Sequence, residues 1–367
     1  MGRLHELYES GGQSPWLDNL RRGWVTSGEL EQWVQRGVRG ITSNPTIFQK
    51  AIESTGDYDD QFAELVSGGA TIEDAYWDLV TADIRAALDI MRPVYDASDG
   101  VDGFVSVEVA PSLAHNTDGT LAAARHLATT INQPNLHVKI PGTAEGLPAI
   151  TAMIAEGHSV NVTLLFGVDR YAEVIEAYIA GLEANQGDLS TVASVASFFI
   201  SRVDTEVDRR LEAIGTPEAL ALRGRAAVAN AQVAYEVFTK AFAGPRWEAL
   251  EARGARIQRP LWASTSTKNP AYPDTLYVDT LIGPHTVNTM PDATLVDFDD
   301  HGTVARAVDA DLPGAHGVLE SLANLGVDLN DVTSTLEVEG VAAFSKSFDE
   351  LLGVLDTRAG ELGGPAQ

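Results

Sequence analysis

"LHVKIPGT", residues 136–143, sets one lysine inside a run that alternates as a strand does. Leu136, Val138 and Ile140 fall on one register and His137 and Lys139 on the other, and Pro141-Gly142 stops the run. Lys139 therefore has two readings. It is a strand-end side chain reaching back to water, or a nucleophilic amine whose burial is part of its chemistry. Taken alone the stretch favours the first, because charges at strand ends are commonly solvated.

Working outward, similar short runs recur at 15–20, 39–44, 103–109, 159–166, 191–199, 259–265 and 285–290. Helical patterns separate them. In 71–96 the residues Ile72, Ala75, Tyr76, Leu79, Ile84, Leu88 and Met91 return at helical spacing, and Thr71 with Asp74 forms an N-terminal cap signal. Further helices are expected over 118–130, 145–156 and 169–184, as a long antiparallel pair across 201–243, and over 336–356. In the last, Val338, Val341, Phe344, Phe348, Leu351 and Leu352 are available to pack. Eight strands alternating with helices is the count of a (β/α)8 TIM barrel with additional helices. No repeat or low-complexity linker interrupts the pattern, so residues 1–367 are expected to form a single domain with a frayed tail over 358–367.

Composition excludes several classes. Lys plus Arg total 25 against 52 Asp plus Glu, a formal net charge of -27, which repels nucleic acid and anionic membrane surfaces. An anionic substrate would need a local cationic pocket set against that field. Cysteine is absent, and with it disulfides, thiolate catalysis and zinc-thiolate sites. The opening "MGRLHELYESGGQSPW" has no apolar core of signal-peptide length, and no run approaches a membrane span. A soluble cytoplasmic protein is expected.

In a barrel of this kind function sits where strands end, and here those ends are polar. In strand order they offer Asp18; Thr42 and Asn44; Glu108; Lys139; Asn161 and Thr163; Ser197; and Ser264. Thr42/Asn44, Ser106/Glu108, His137/Lys139 and Asn161/Thr163 are each spaced by two, so each pair shares one face. Each residue has a plainer role when taken singly. Asp18 caps a helix, Asn44 begins the turn at Pro45, and Glu108 does no more than neutralise Lys139. Their coincidence on successive strand ends is the stronger signal, because converging polar groups are costly to bury unless they bind each other or a ligand.

The ordered set "GITSNPTIF", "VSVEV", "HVKIPGT", "NVTLLF", "SVASFFISRVD" and "WASTSTKNP" resembles the transaldolases, in the bacterial branch with chains of this length. The resemblance runs from about Trp16 to Leu352. It implies a (β/α)8 barrel of the Schiff-base aldolase superfamily with no metal or organic cofactor, consistent with the lack of an H-x-x-x-H pair or a Gly-rich phosphate loop. The implied reaction, part of the non-oxidative pentose phosphate pathway, moves a dihydroxyacetone unit. The donor is fructose 6-phosphate or sedoheptulose 7-phosphate, and the acceptor erythrose 4-phosphate or glyceraldehyde 3-phosphate.

Residue roles follow from the same resemblance. Lys139 matches the Schiff-base lysine; an amine in water is almost wholly protonated at neutral pH, so such a site must favour the neutral form. Asp18 matches the general acid/base for C3–C4 cleavage, and Glu108 the carboxylate that assists carbinolamine formation through a water. Thr42, Asn44, Asn161 and Thr163 match positions that hold that water or the sugar hydroxyls, and Ser197 stands with them. Arg202 matches a phosphate-binding arginine. Lys268 stands where many relatives carry another arginine, and a solvated loop lysine is its plainer reading. Phe199 either lines the pocket or is a core aromatic. The resemblance also leaves two other activities open: a fructose 6-phosphate aldolase, and a barrel that binds sugar phosphates without turning them over. Retention of Asp18 on the first strand favours transfer over the aldolase. Monomer and homodimer both suit the family.

Overall fold

The computed structural model describes residues 2–361. Seven strands, β1 (Gln13–Leu17), β2 (Val105–Glu108), β3 (Leu136–Pro141), β4 (Val160–Leu165), β5 (Ser194–Phe199), β6 (Gln258–Ala263) and β7 (Thr286–Met290), form one sheet. Their order is β1-β7-β6-β5-β4-β3-β2, with every pairing parallel. Between β1 and β2 stands a single residue, Ile41, paired in parallel with Leu17 on one side and Val105 on the other. Counting it, eight positions close a ring, the TIM-barrel-like α/β architecture expected from the alternation.

The second strand thus contracts from the expected 39–44 to one bridging residue. Its length is limited at both ends. A Cβ on Gly40 would lie 2.3 Å from the Trp16 indole, so only glycine lets this segment approach β1. Asn44 then accepts from the Ile47 N–H and starts the helix Pro45–Ser54. The first strand ends earlier than its expected limit at residue 20. Asp18 lies just past it, its N–H still bonded to the Met290 carbonyl at 2.8 Å.

Elsewhere the alternation translates directly. Val107, Val138, Ile140 and Val162 are buried between ring and helices, while the intervening residues turn inward. The long helix covers Ile72–Ala97, with Thr71 accepting from the Asp74 N–H as its cap. The pair expected across 201–243 appears as Ser201–Ile214 and Ala226–Ala241, separated by the short helix Pro217–Leu220. No helix among the described residues is long and apolar enough to cross a membrane.

The last helix, Leu329–Glu361, is longer than expected and takes in the first residues of the supposed frayed tail. Residues 362–367 lie outside the described part. Its buried seam is Val332, Leu336, Gly340, Phe344, Phe348, Leu351 and Leu355. Val338 was expected to pack with these but is 66% exposed, because it falls off a seam that steps by four and three residues. Thr46 and Ser347 exchange a hydrogen bond at 2.8 Å, tying this helix to Pro45–Ser54. Phe344 thereby comes over the C-terminal ends of the strands, with Lys139 Nζ 5.9 Å from its ring centroid.

Candidate active site

Lys139 is 4% exposed. Its Nζ donates to the Ser43 carbonyl at 3.1 Å and lies 3.0 Å from Glu108 Oε2, whose strand position is directly opposite in the β2–β3 register. The Glu108 contact is a charge pair rather than an aligned hydrogen bond, for neither carboxylate oxygen receives a well-directed donor. Burial pushes the Glu108 carboxyl above its ordinary range; Lys139 opposes this and the Asp18 charge adds to it.

Asp18 accepts from the Thr42 hydroxyl at 2.7 Å, and Thr42 also shares a 2.6 Å hydrogen bond with Thr289. Its pKa is also raised, by burial first, against the pull of Lys139, the Thr42 bond, Lys268 and Arg202. Two carboxyls biased toward protonation therefore stand within the field of one buried amine. Such a constellation suits proton transfer.

A cavity of about 810 Å³ opens above this centre. The structure brings Asp18, Thr42, Asn44, Lys139, Thr163, Ser197, Phe199, Arg202 and Lys268 to its wall. Glu108 and Asn161 are not part of that wall. Glu108 lies beneath it, against Lys139. Asn161 is engaged inside the barrel, donating to Ser106 Oγ at 3.0 Å and accepting from Ser197 Oγ at 2.7 Å. Thr163 differs from both: its hydroxyl is buried, faces the cavity and has no hydrogen-bond partner. The following residue, Leu164, has φ +59°, a strained left-handed backbone where the β4–β5 register shifts.

Charge at the mouth reverses the sign of the whole chain. Arg21, Lys50, Lys139, Arg202 and Lys268 line the cavity against only Asp18, Glu53 and Asp292. The Arg202 guanidinium lies 5.4 Å from the Phe199 ring and 5.9 Å from Phe344 and forms no ion pair among the described residues. Burial lowers its pKa, with Glu339 and Asp18 acting against. Lys268 is lowered too, by burial and then by the like charges of Arg202 and Lys50. Cations held near each other without an ion-pair partner suit an anion.

Sequence reasoning missed Arg21, Lys50, Phe344 and Thr289 in this wall. A signal existed for one of them. The chain has only five lysines, and Lys50 stands six residues after Asn44 on the helix that leaves the second strand. Three of the five line this one cavity. Phe344 arrives from far along the chain, and no spacing announces it. Among the described residues no cluster of three or more His, Asp or Glu side chains is placed to hold a metal ion.

A closed barrel with a buried lysine between carboxyls defines a class of lysine-centred lyases and transferases acting on carbonyl compounds. Comparison with known proteins narrows it. The family described as Transaldolase/Fructose-6-phosphate aldolase matches residues 15–355. A protein named transaldolase from Parafrankia sp. is 54% identical over 362 residues, covering 97% of each chain. Similarly named proteins of Frankia alni and Thermobifida fusca are each 52% identical, over 366 and 357 residues, and cover at least 96% of either partner. The chain belongs to the transaldolase/fructose-6-phosphate aldolase family.

Proposed function

We propose that this chain is a transaldolase, one barrel domain that moves a dihydroxyacetone unit between sugar phosphates through an imine on Lys139. The observation that carries the reading is the buried Lys139 amine 3.0 Å from Glu108, under a cavity walled by hydroxyls and uncompensated cations. Transfer of a proton from Nζ to Glu108 gives the neutral nucleophile, and burial of the carboxyl favours that direction. Nζ attacks the ketose C2 carbonyl. Glu108, through a water, passes the protons that expel hydroxide as water and leave the iminium.

Asp18 then removes the C4 hydroxyl proton. The C3–C4 bond breaks, its electron pair moves into the iminium to give an enamine, and the aldehyde departs. The acceptor aldehyde enters, enamine C3 attacks its carbonyl carbon, and Asp18 returns the proton to the new hydroxyl. Hydrolysis frees Lys139. Thr42, Asn44, Thr163 and Ser197 supply hydrogen bonds to the polyol, Asn161 holds Ser197 in place, and Phe199 packs beside Arg202. Arg202 and Lys268, with Lys50 beside them, take the phosphate. A cytoplasmic place in the pentose phosphate pathway goes with these substrates, as monomer or homodimer.

Borohydride reduction in the presence of fructose 6-phosphate, followed by peptide mass analysis, tests the reading. A three-carbon adduct on Lys139 is expected in the wild type and a six-carbon adduct in Asp18→Ala, where the imine forms but the cleavage base is gone. An unmodified Lys139 in folded protein would overturn the assignment. Transfer and plain aldol cleavage share the Asp18 step and differ in what takes up the enamine, an acceptor aldehyde or a proton. Erythrose 4-phosphate should therefore accelerate consumption of fructose 6-phosphate, whereas an aldolase would release dihydroxyacetone at the same rate without it.

A further inference from the structure

The barrel has a second cavity at the opposite, N-terminal ends of its strands, measuring about 510 Å³ and sharing no lining residue with the first. It falls within the size range of small-molecule sites, roughly 300–1,000 Å³. Phe104 comes from the approach to β2, while Tyr235, Phe238, Phe242 and Trp247 come from helices Ala226–Ala241 and Pro245–Glu251 and the turn joining them. Phe242 stands edge-on to Trp247 at 4.8 Å and 5.4 Å from Phe238, so this side is a continuous aromatic wall.

Two polar features set the cavity apart from a packing defect. His137, fully buried in its lining, stacks on Phe104 with centroids 4.0 Å apart, and neither ring nitrogen has a hydrogen-bond partner. Burial, with the Arg259 charge, pushes its pKa down to about 3, so the ring is neutral and keeps one N–H and one lone pair unanswered, enclosed beside the cavity. Native interiors seldom leave such atoms unpaired. The second feature is charge. Arg259, although in the lining, is committed to Ser14, the Val101 carbonyl and Asp102. Arg256 is not. Only its Nε is engaged, on the Ser190 carbonyl at 2.7 Å, and it makes no ion pair among the described residues. Glu251 also lines the cavity and is exposed.

We propose that this cavity is a second small-molecule site, for a planar aromatic or heteroaromatic acid: its ring lies along the Tyr235–Trp247 wall beside Phe104 and His137, and its anionic group pairs with Arg256. The site differs from the sugar-phosphate cavity, whose wall sets hydroxyls and several cations about Phe199 and Phe344.

The probe is 1-anilinonaphthalene-8-sulfonate, a fused aromatic anion, titrated by fluorescence into the full chain. Saturable one-to-one binding is expected, undisturbed by fructose 6-phosphate. Arg256→Ala should weaken it about tenfold, the worth of one charge-assisted hydrogen bond. Thr239→Trp, a substitution at an exposed lining residue that fills the cavity from outside, should abolish it. Both variants should keep wild-type turnover, which reports that they are folded. No saturable binding, unchanged binding in either variant, or displacement by fructose 6-phosphate would overturn the proposal.

Discussion

The two ends of this barrel bury carboxylates in opposite ways. Below the ring, Asp102 is wholly enclosed and accepts from Ser14 Oγ at 2.9 Å, Trp16 Nε1 at 3.2 Å, Arg39 Nε at 2.8 Å and Arg259 Nη2 at 3.0 Å. Burial pushes its carboxyl up, but the guanidinium groups of Arg259 and Arg39 together outweigh it and hold the group below its ordinary range. Above the ring, Glu108 is as deeply buried with one cation beside it and no aligned donor, and burial wins. Equal enclosure thus gives a fixed anion at one end and a proton carrier at the other. What differs is the number of donors supplied.

Breaking each end separately sharpens the contrast. The largest effect is expected from Lys139→Met, which should cut turnover by at least about 10⁴-fold, as loss of a covalent nucleophile does. Its urea midpoint should move little, because the lone Glu108 can take a proton; a large drop would place the lysine in the framework rather than in the chemistry. Asp102→Asn should do the reverse, costing about 3–5 kcal/mol in urea unfolding, as breaking a buried ion network does, with kcat of the folded protein unchanged.

The pH dependence of that cost has a definite sign. The native carboxyl titrates below its ordinary 3.8, so the stability it contributes is whole above that pH. It is lost as pH falls through the depressed value. The gap between wild type and Asp102→Asn should therefore be constant from pH 5 to 7 and close only below about 3.8, as stability measured across that range would show. Lys50→Gln is the mildest change. It should raise KM for fructose 6-phosphate up to about fivefold without altering kcat, the scale of a solvent-exposed charge pair. Equal KM values would remove Lys50 from the phosphate site.

Much of the framework was legible because period-2 alternation and burial are the same fact in a parallel sheet. β3 and β4 show it most clearly, with Val138 and Val162 outward and Lys139 and Asn161 inward. The second strand was less so. Its contraction to Ile41 depends on Gly40 meeting Trp16, a contact between segments that propensity does not register. Among the site residues most strand-end side chains were found, although Thr289 on β7 was not, and of those on helices Arg202 was found only through the family resemblance. Lys50 reads as any solvated helix lysine, and Phe344 as any core aromatic, until the fold shows what they face. The division within the inward set was hidden too. Asn161 and Thr163 lie two residues apart on one face, yet the first is satisfied by Ser106 and Ser197 while the second has no partner.

The helix that brings Phe344 over Lys139 follows every strand in the chain. During synthesis the ring from Gln13 to Met290 can therefore assemble on the ribosome before one wall of the catalytic chamber exists. Until Leu329–Glu361 emerges and docks, the amine lacks the cover that Phe344 supplies. A nascent barrel is thus a finished scaffold with an unfinished chamber until this helix docks.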